Sequence, residues 1–288
     1  GDLTRIMGYE GYEDIDIEVH GLTPDQLKGL LDSLGQRLDM GESFGIFGLK
    51  GYSIDIATPR KESCRGKGHR DFDVFVDPHI GTLGAAKRRD FTVNAMMQNI
   101  LTGEIIDHFG GREDLEKGII RHVNDSSFAE DPLRVLRGAQ FASRFNFEIA
   151  EETKALCRSM NISTLPRERI MGETQKALLK AERPSIFFEK MREMGQLSVW
   201  FPELEALIGV EQNPVFHPEG DVFEHTMIVL DNAATYRFEA KDRFGKKHVF
   251  NADSPYSALT PIWKDIEPWS VFRDTDEQWY SPAALEQY

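Results

Sequence analysis

Hydrophobic and polar residues alternate in three short runs of the first third of the chain: residues 14–22, 47–58 and 71–77. This period of two is typical of strands with one buried face. Residues 23–38 instead carry apolar positions at helical spacing, with Thr23 as the predicted N-cap. One helical face is expected to carry four leucines: Leu27, Leu30, Leu31 and Leu34. A second helix is predicted over 86–101 and a short strand over 103–111, so an α/β or α+β domain is expected.

The pattern changes near residue 123, after which apolar residues recur at helical spacing in five runs: residues 128–147, 150–162, 167–181, 184–197 and 225–240. The second part of the chain is therefore predicted to be all-α. Residues 251–288 differ from both parts, since they hold three of the four tryptophans and an excess of acidic side chains. An irregular acidic tail is expected there.

Composition excludes several classes of protein. The chain has 288 residues, 40% of them hydrophobic, without the run of about 20 apolar residues that a membrane span needs. The first residues do not form a signal peptide, and two cysteines are too few for a disulfide scaffold. A reducing, cytoplasmic compartment and no membrane association are expected. A net charge of −14 argues against a basic, nucleic-acid-binding charge over the whole surface, but it is compatible with a local basic site.

Three aspartates sit on strand-like runs. Asp14 and Asp16 are two residues apart and so share one strand face, while the intervening isoleucines face the other. Asp55 alternates with isoleucines in the same way. Carboxylates on one face repel each other unless a cation lies between them, and Mg²⁺ prefers such oxygen ligands. The three aspartates are candidates for a metal-dependent phosphoryl-transfer site. Two aspartates at this spacing are common, and the alternative is a solvated strand face.

Five motifs occur in a fixed order: EDIDIEVHGL, DIATPRKE, RRDFTVNAM, GEIIDHFGGREDL and FAEDPLRVLR. Together they resemble the class II tRNA nucleotidyltransferase and bacterial poly(A) polymerase family. The resemblance implies an α+β fold, with a polymerase-beta-like nucleotidyltransferase head holding a small mixed sheet, followed by an all-α neck and body. The expected domains are a catalytic head over 1–122, a helical neck over 123–185, and a body over 186–288.

The resemblance also implies roles for particular residues. Asp14 and Asp16 are expected to bind two catalytic Mg²⁺ ions, with Asp55 as a further catalytic carboxylate. The residues expected to bind the nucleotide lie in two motifs: Arg88, Arg89, Asp90, Asn94, Asp131, Arg134 and Arg137. The residues expected to form a hinge between head and neck are Asp107, Gly110, Gly111 and Asp114. The Gly-Gly-x-x-Arg-Asp segment that precedes the first strand in this family does not occur in residues 1–13.

Two of these roles have a physical rationale in the sequence. Asp131 and Arg134 are three residues apart, which places them side by side on a helix; one offers acceptors and the other donors, so together they suit the base edges of C and A. A surface ion pair at a helix start is the alternative. Arg88 and Arg89 are predicted to open a helix, whose N-terminus attracts phosphate.

RNA contacts are expected from two further regions. Residues 61–70 combine glycines with basic side chains and are predicted to move near the primer end, although a solvated loop is an equal alternative. Basic side chains of the helical part are expected to contact tRNA phosphates: Arg144, Lys154, Arg158, Arg167, Arg169, Lys176 and Lys180.

Residues 217–226, HPEGDVFEHT, resemble the opening of an HD phosphohydrolase-like domain, with His217, Asp221 and His225 as candidate metal ligands. The adjacent His-Asp pair that such an enzyme requires does not follow, so an inactive HD-like fold is expected.

The function expected from the resemblance is template-independent addition of C and A to the 3′ end of tRNA, with CTP, ATP and Mg²⁺. The expected partner is tRNA, bound at its 3′ end and acceptor stem. Poly(A) addition, or addition of CC or A alone, is an alternative of the same class. An HD-type phosphohydrolase and a non-catalytic RNA-binding protein are alternatives of other classes.

Overall fold

The computed structural model describes residues 15–41, 45–64 and 72–235, and four short strands beyond them. Asp14, the residues before it, most of segment 61–70 and almost all of the predicted tail lie outside the described residues. Within the chain, contacts define two compact units, Gly1–Arg134 and Val135–Tyr288.

The first unit combines strands with short helices. Its elements in chain order are β1 (Ile15–Glu18), α1 (Pro24–Leu34), β2 (Arg37–Gly41), β3 (Ile46–Leu49), β4 (Ile54–Ala57), β5 (Arg60–Cys64), β6 (Phe72–Val76), α2 (Gly81–Lys87), β7 (Met97–Gln98), β8 (Ile105–Ile106), α3 (Gly111–Lys117), β9 (Ile119–Ile120) and α4 (Asp125–Glu130).

A four-stranded mixed sheet with the order β1-β4-β3-β2 forms the centre of this unit. β1 and β4 are parallel, whereas β3 runs antiparallel to both of its neighbours. Apolar side chains of this sheet pack against α1 around Leu27, Leu31, Phe47 and Ile56. The predicted small mixed sheet is therefore confirmed.

Helix α1 begins where the sequence predicts. The Thr23 hydroxyl accepts from Gln26 N at 3.3 Å, and Gln26 Oε1 accepts from Thr23 N at 2.9 Å, a reciprocal capping box. The helix ends at Leu34, four residues before the predicted end, with Gly35 as its C-cap. Only Leu27 and Leu31 are buried, while Leu30 and Leu34 are 45% and 67% exposed, so the four leucines do not share one buried face.

The helix predicted over 86–101 is wrong. α2 ends at Lys87, a 3-10 turn covers Thr92–Asn94, and β7 follows. Phe91 is extended and forms an isolated bridge with His122, and Thr92 N donates to Arg121 O at 2.9 Å. These tertiary hydrogen bonds override the helical periodicity of the segment.

The second unit is mostly helical. α5 (Leu133–Phe145) begins at the end of the first unit, and the elements that follow are β10 (Glu148–Ile149), α6 (Glu151–Ser159), α7 (Arg167–Lys180), α8 (Ser185–Glu193), α9 (Leu197–Trp200), α10 (Pro202–Glu205), α11 (Val222–Thr235), β11 (Phe238–Lys241), β12 (Lys247–Phe250), β13 (Phe272–Arg273) and β14 (Trp279–Tyr280). Phe187, Phe188 and Phe201 pack edge to face at its centre, with ring centroids 5.1–6.2 Å apart.

Two predictions for this region need correction. The strands do not stop at residue 123, because β10–β14 lie after it. The helix predicted over 128–147 is two helices, separated at Asp131. The residue before a proline disfavours helical backbone, and Asp131, which precedes Pro132, is extended with φ −118° and ψ 98°.

Across the described ranges, every helix is too short or too polar to cross a lipid bilayer.

Candidate active site

Two of the three predicted catalytic aspartates lie side by side. In the parallel pair of β1 and β4, Asp16 is the register partner of Asp55, and strands in a sheet are about 4.8 Å apart. Register partners in a parallel pair project from the same face, opposite to the face where Ile17 and Ile56 pack. Asp16 is exposed and Asp55 is partly exposed, so this face carries two adjacent carboxylates open to solvent.

The donors on this face suit Mg²⁺. Carboxylate oxygens are its preferred protein ligands, and two adjacent carboxylates gain from a cation between them. Asp14 lies outside the described residues. Its contribution to the same face stays a prediction from strand alternation.

Glu18 connects this strand face to the predicted phosphate-binding arginines. It lies two residues beyond Asp16 and therefore on the same face of β1. Its carboxylate is 3.3 Å from Arg88 Nη2, 3.7 Å from Arg89 Nη2 and 3.0 Å from His20 Nε2. Only 14% of the Glu18 side chain is exposed. Both guanidiniums are thus held beside the strand that carries Asp16.

Asp90 and Asn94 are joined to each other. Asp90 Oδ1 accepts from Asn94 Nδ2 at 3.1 Å and from Phe91 N at 2.8 Å. Asp90 is buried, so these bonds replace the water it loses. The two residues fix the turn that follows the arginines, which is a structural role that the nucleotide-binding prediction did not include.

Arg88 and Arg89 do not open a helix, contrary to the prediction. Arg88 is the C-cap of α2, so the N-terminus of this helix, at Gly81, does not supply the expected phosphate attraction. The carbonyls at this helix end are satisfied from α4 and α5: the Ser127 hydroxyl donates to Lys87 O at 3.0 Å, and Arg134 Nη2 donates to Arg88 O at 2.8 Å. The RRD and EDPLR motifs are therefore hydrogen-bonded to each other.

Asp131 and Arg134 do not share a helix face in the predicted way, because Asp131 precedes α5. Its carboxylate accepts from Leu133 N at 3.1 Å, and its carbonyl accepts from Arg134 N at 3.0 Å. Besides Arg88 O, the Arg134 guanidinium donates to Ser127 O at 2.8 Å. Both side chains help to build the start of α5, and their contact with a base stays a prediction. Arg137 lies one turn later, with its guanidinium 5.2 Å from the Phe141 ring centroid.

The residues predicted to form a hinge are an ordered helix start. The Asp107 carboxylate accepts from Gly111 N and Arg112 N, each at 2.9 Å, and from Phe109 N at 3.2 Å. Burial opposes the charge of Asp107, but these hydrogen bonds outweigh it and lower its pKa. Gly110 has φ +73°, a left-handed conformation that glycine adopts without strain.

Gly111 and Asp114 join this helix start to the RRDFTVN segment. A Cβ on Gly111 would lie 2.2 Å from Thr92 O, so the two backbones are in contact. Asp114 is buried and accepts from the Thr92 hydroxyl at 2.7 Å and from Arg121 Nε at 3.1 Å. Movement about these residues stays a prediction.

One of the predicted RNA-contacting residues is wrongly assigned. Lys154 is buried, and its Nζ is 2.6 Å from Glu193 and 3.0 Å from Glu151. Burial opposes its charge, but the two carboxylates outweigh this and raise its pKa. Lys154 therefore forms ion pairs within the second unit. Arg158 is also engaged, since its guanidinium donates to Glu193 O at 3.1 Å.

The sequence reasoning missed Glu18, although the same alternation that paired Asp14 with Asp16 places Glu18 on their face. Its arginine partners are about 70 residues away in sequence, and strand spacing carries no information about them.

Comparison with known proteins identifies two segments. Residues 4–121 match the family described as the poly A polymerase head domain, and residues 146–208 match the probable RNA and SrmB-binding site of polymerase A. The chain belongs to the tRNA nucleotidyltransferase and poly(A) polymerase family. The head match contains Asp16, Asp55, Arg88 and Arg89, so the face described above lies in the segment that matches the head domain.

Similar proteins include multifunctional CCA proteins of several bacteria. The chain is 37% identical to the multifunctional CCA protein of Acinetobacter baylyi over 278 residues, which is 94% of this chain and 63% of that protein. It is 41% identical to the one of Pasteurella multocida over 228 residues, 77% of this chain and 52% of that protein. The chain thus spans between about half and two thirds of these relatives' length.

Solved structures of the family share the fold. A CCA-adding enzyme in complex with ATP is 28% identical, with a TM-score of 0.55 over 74% of this chain and 47% of that one. A tRNA nucleotidyltransferase complexed with a primer tRNA and an incoming ATP analog is 28% identical, with a TM-score of 0.51 over 76% and 61%. The Bacillus stearothermophilus CCA-adding enzyme in complex with CTP has a TM-score of 0.60 over 72% and 50%, at 24% identity.

Proposed function

We propose that this protein adds C and A nucleotides, from CTP and ATP, to the 3′ end of tRNA without a template. One arrangement carries the proposal. Asp16 is in register with Asp55 on one face of the strand pair, and Glu18, on the same face, forms ion pairs with Arg88 and Arg89. The names of the curated relatives and the nucleotide and tRNA complexes of the solved structures support it.

The reaction is attack of the RNA 3′-hydroxyl on the α-phosphate of the nucleotide, with pyrophosphate as the leaving group. Such transfers depend mainly on positioning and on stabilisation of charge. Mg²⁺ held by Asp14 and Asp16 would neutralise negative charge on the attacking and leaving oxygens. Asp55, on the same face, accepts the proton of the attacking hydroxyl.

Arg88 and Arg89 bind the triphosphate. Their guanidiniums suit phosphate because each presents paired donors. Glu18 holds both side chains at the strand, so less side-chain entropy is lost when the phosphates arrive. Asp90 and Asn94 fix the turn that carries them.

Selection of the base falls to Asp131, Arg134 and Arg137 at the start of α5. The bond from Arg134 to Arg88 O joins this selecting segment to the triphosphate-binding segment. The tRNA contacts would come from exposed basic side chains of the second unit, such as Arg167 and Lys180. The two cysteines of the chain favour a reducing compartment, and we place the activity in the cytoplasm.

Primer extension tests this proposal. A tRNA that ends at the discriminator base is incubated with Mg²⁺ and CTP alone, ATP alone, or both. With CTP alone, we expect two C nucleotides to be added. With CTP and ATP together, we expect the primer to be extended by C, C and A and extension to stop after these three nucleotides. A long A tail, CC alone, or A added only to a CC-ended primer would replace the proposal by the corresponding activity. Tight tRNA binding without any extension would replace the proposal by a non-catalytic RNA-binding function.

A further inference from the structure

Two histidines and a glutamate converge in the second unit. Glu219 Oε1 lies 3.2 Å from His217 Nδ1 and 2.5 Å from His225 Nδ1. The imidazole rings meet edge to face with centroids 4.8 Å apart. One possible ligand atom from each of the three side chains lies within 4.8 Å of the other two.

The backbone around these side chains is held by local hydrogen bonds. His217 N donates to Asn213 O at 2.9 Å, which closes the turn before it. Gly220 has φ +134°, and a Cβ there would lie 2.0 Å from Glu224 Oε2. Residues with a Cβ rarely adopt this φ, so glycine suits the position, which directs the chain from Glu219 into α11, where His225 stands in the first turn.

Asp221, the ligand that the sequence suggested, is used otherwise. Its carboxylate accepts from Glu224 N at 2.9 Å and from Gly209 N at 2.6 Å, so it caps α11. The acidic member of the cluster is Glu219. The sequence expectation for the metal ligands is thereby corrected from His217, Asp221 and His225 to His217, Glu219 and His225.

We propose that His217, Glu219 and His225 bind one divalent transition-metal ion of the zinc type. Two imidazoles and one carboxylate form a ligand set that suits zinc and its neighbours, and three protein ligands leave a fourth position for water. Ligands about 2.1 Å from a tetrahedral ion are about 3.4 Å apart. The two histidine–glutamate distances, 3.2 and 2.5 Å, are already at or below this value, so small rotations of the side chains bring the three ligand atoms to this spacing. Each imidazole is about one third exposed, so an ion can enter from solvent.

This site differs from both metal sites that the sequence suggested. The oxygen-only donors at Asp16 and Asp55 favour Mg²⁺, whereas imidazole favours transition metals. An HD phosphohydrolase site needs an adjacent His-Asp pair, and none of the eight histidines in the sequence precedes an aspartate. The proposed site shares no residue with the proposed transfer site, so the two proposals are independent of each other.

Cobalt(II) tests the site, because four-coordinate Co²⁺ absorbs visible light strongly and six-coordinate Co²⁺ only weakly. The full chain is titrated with Co²⁺ in excess Mg²⁺, which occupies the oxygen-only carboxylate site. We expect one equivalent of four-coordinate Co²⁺ without a thiolate charge-transfer band. His217→Gln and His225→Asn should each abolish this spectrum, and Glu219→Gln should weaken binding at least ~10-fold. The exposed His79→Ala serves as the matched control and should bind as the unchanged chain does.

Thermal melts of every variant separate loss of ligand from loss of fold. Zn²⁺ should raise the melting temperature of the unchanged chain and of His79→Ala, but not that of His217→Gln. The proposal is overturned if no four-coordinate Co²⁺ binds, or if the spectrum survives in His217→Gln and Glu219→Gln.

Discussion

At the residue scale, Glu18 links the carboxylate strand to the arginines that would receive the triphosphate. Its side chain is mostly buried and contacts both guanidiniums. A carboxylate in that position sets their orientation, although it also offsets part of their positive charge. The geometry favours orientation as the larger effect, since Arg88 donates a charge-assisted hydrogen bond to this mostly buried carboxylate and Arg89 forms an ion pair with it.

Glu18→Gln should therefore raise the KM for CTP and ATP about tenfold, which corresponds to about 1.4 kcal/mol, with a smaller change in kcat. The amide keeps the size of the side chain but loses the charge that holds Arg88 and Arg89. Steady-state kinetics measure the split, and the exposed Glu104→Gln is the control. An unchanged or lowered KM would show that Glu18 does not position the arginines.

Gly111 is the residue at which backbone contact leaves no room for a side chain. Gly111→Ala should lower the free energy of unfolding by at least about 2 kcal/mol, because the new Cβ collides with Thr92 O. Urea denaturation measures this. Gly172→Ala, inside α7 with no atom near the added Cβ, should instead be neutral or stabilise by up to about 1 kcal/mol. Equal effects of the two substitutions would contradict the close contact.

At the scale of elements, α3 depends on the charge of Asp107 at its start. The folded-state pKa of Asp107 is lowered, because its backbone hydrogen bonds outweigh burial. Its contribution is therefore fully present above the unfolded pKa of about 3.9 and is lost as the pH falls through the lower folded value.

Asp107→Asn should consequently destabilise the protein by about 1 kcal/mol near neutral pH and by less as the pH falls below about 4. Urea denaturation of both proteins at several pH values gives the difference, and Asp25→Asn on α1 controls for loss of an exposed carboxylate. A difference that stays constant, or grows on acidification, would show that the charge of Asp107 does not stabilise α3.

Elements differ in how well the sequence predicts them, and the reason is where their hydrogen bonds go. α1 and β1 are predicted because their caps and alternation are local. The structure of segment 88–98 is not predicted, because its turn depends on the Asp90 side chain and on a backbone hydrogen bond to Arg121, which is about 30 residues away in sequence. Pro132 indicates a helix break at Asp131, but the helical periodicity of the flanking residues predicts one continuous helix.

At the scale of the whole molecule, the order of five motifs identified the family, and the head match over 4–121 confirms it. Alternation predicted that Asp16 and Asp55 each point away from a buried face, whereas their pairing in register, and the roles of Glu18 and Glu219, emerged only from contacts in the structure. The predicted division at residue 122 stays a prediction; contacts divide the chain after Arg134, just inside α5.

The most direct test of the central claim is single-turnover transfer of one CMP from CTP to a tRNA that ends at the discriminator base. We expect Asp16→Asn and Asp55→Asn each to lower the rate at least ~10²-fold, with CTP binding largely kept in Asp55→Asn and unchanged transfer in Asp25→Asn. Undiminished transfer in both Asp16→Asn and Asp55→Asn would contradict the assignment of this strand face as the catalytic centre.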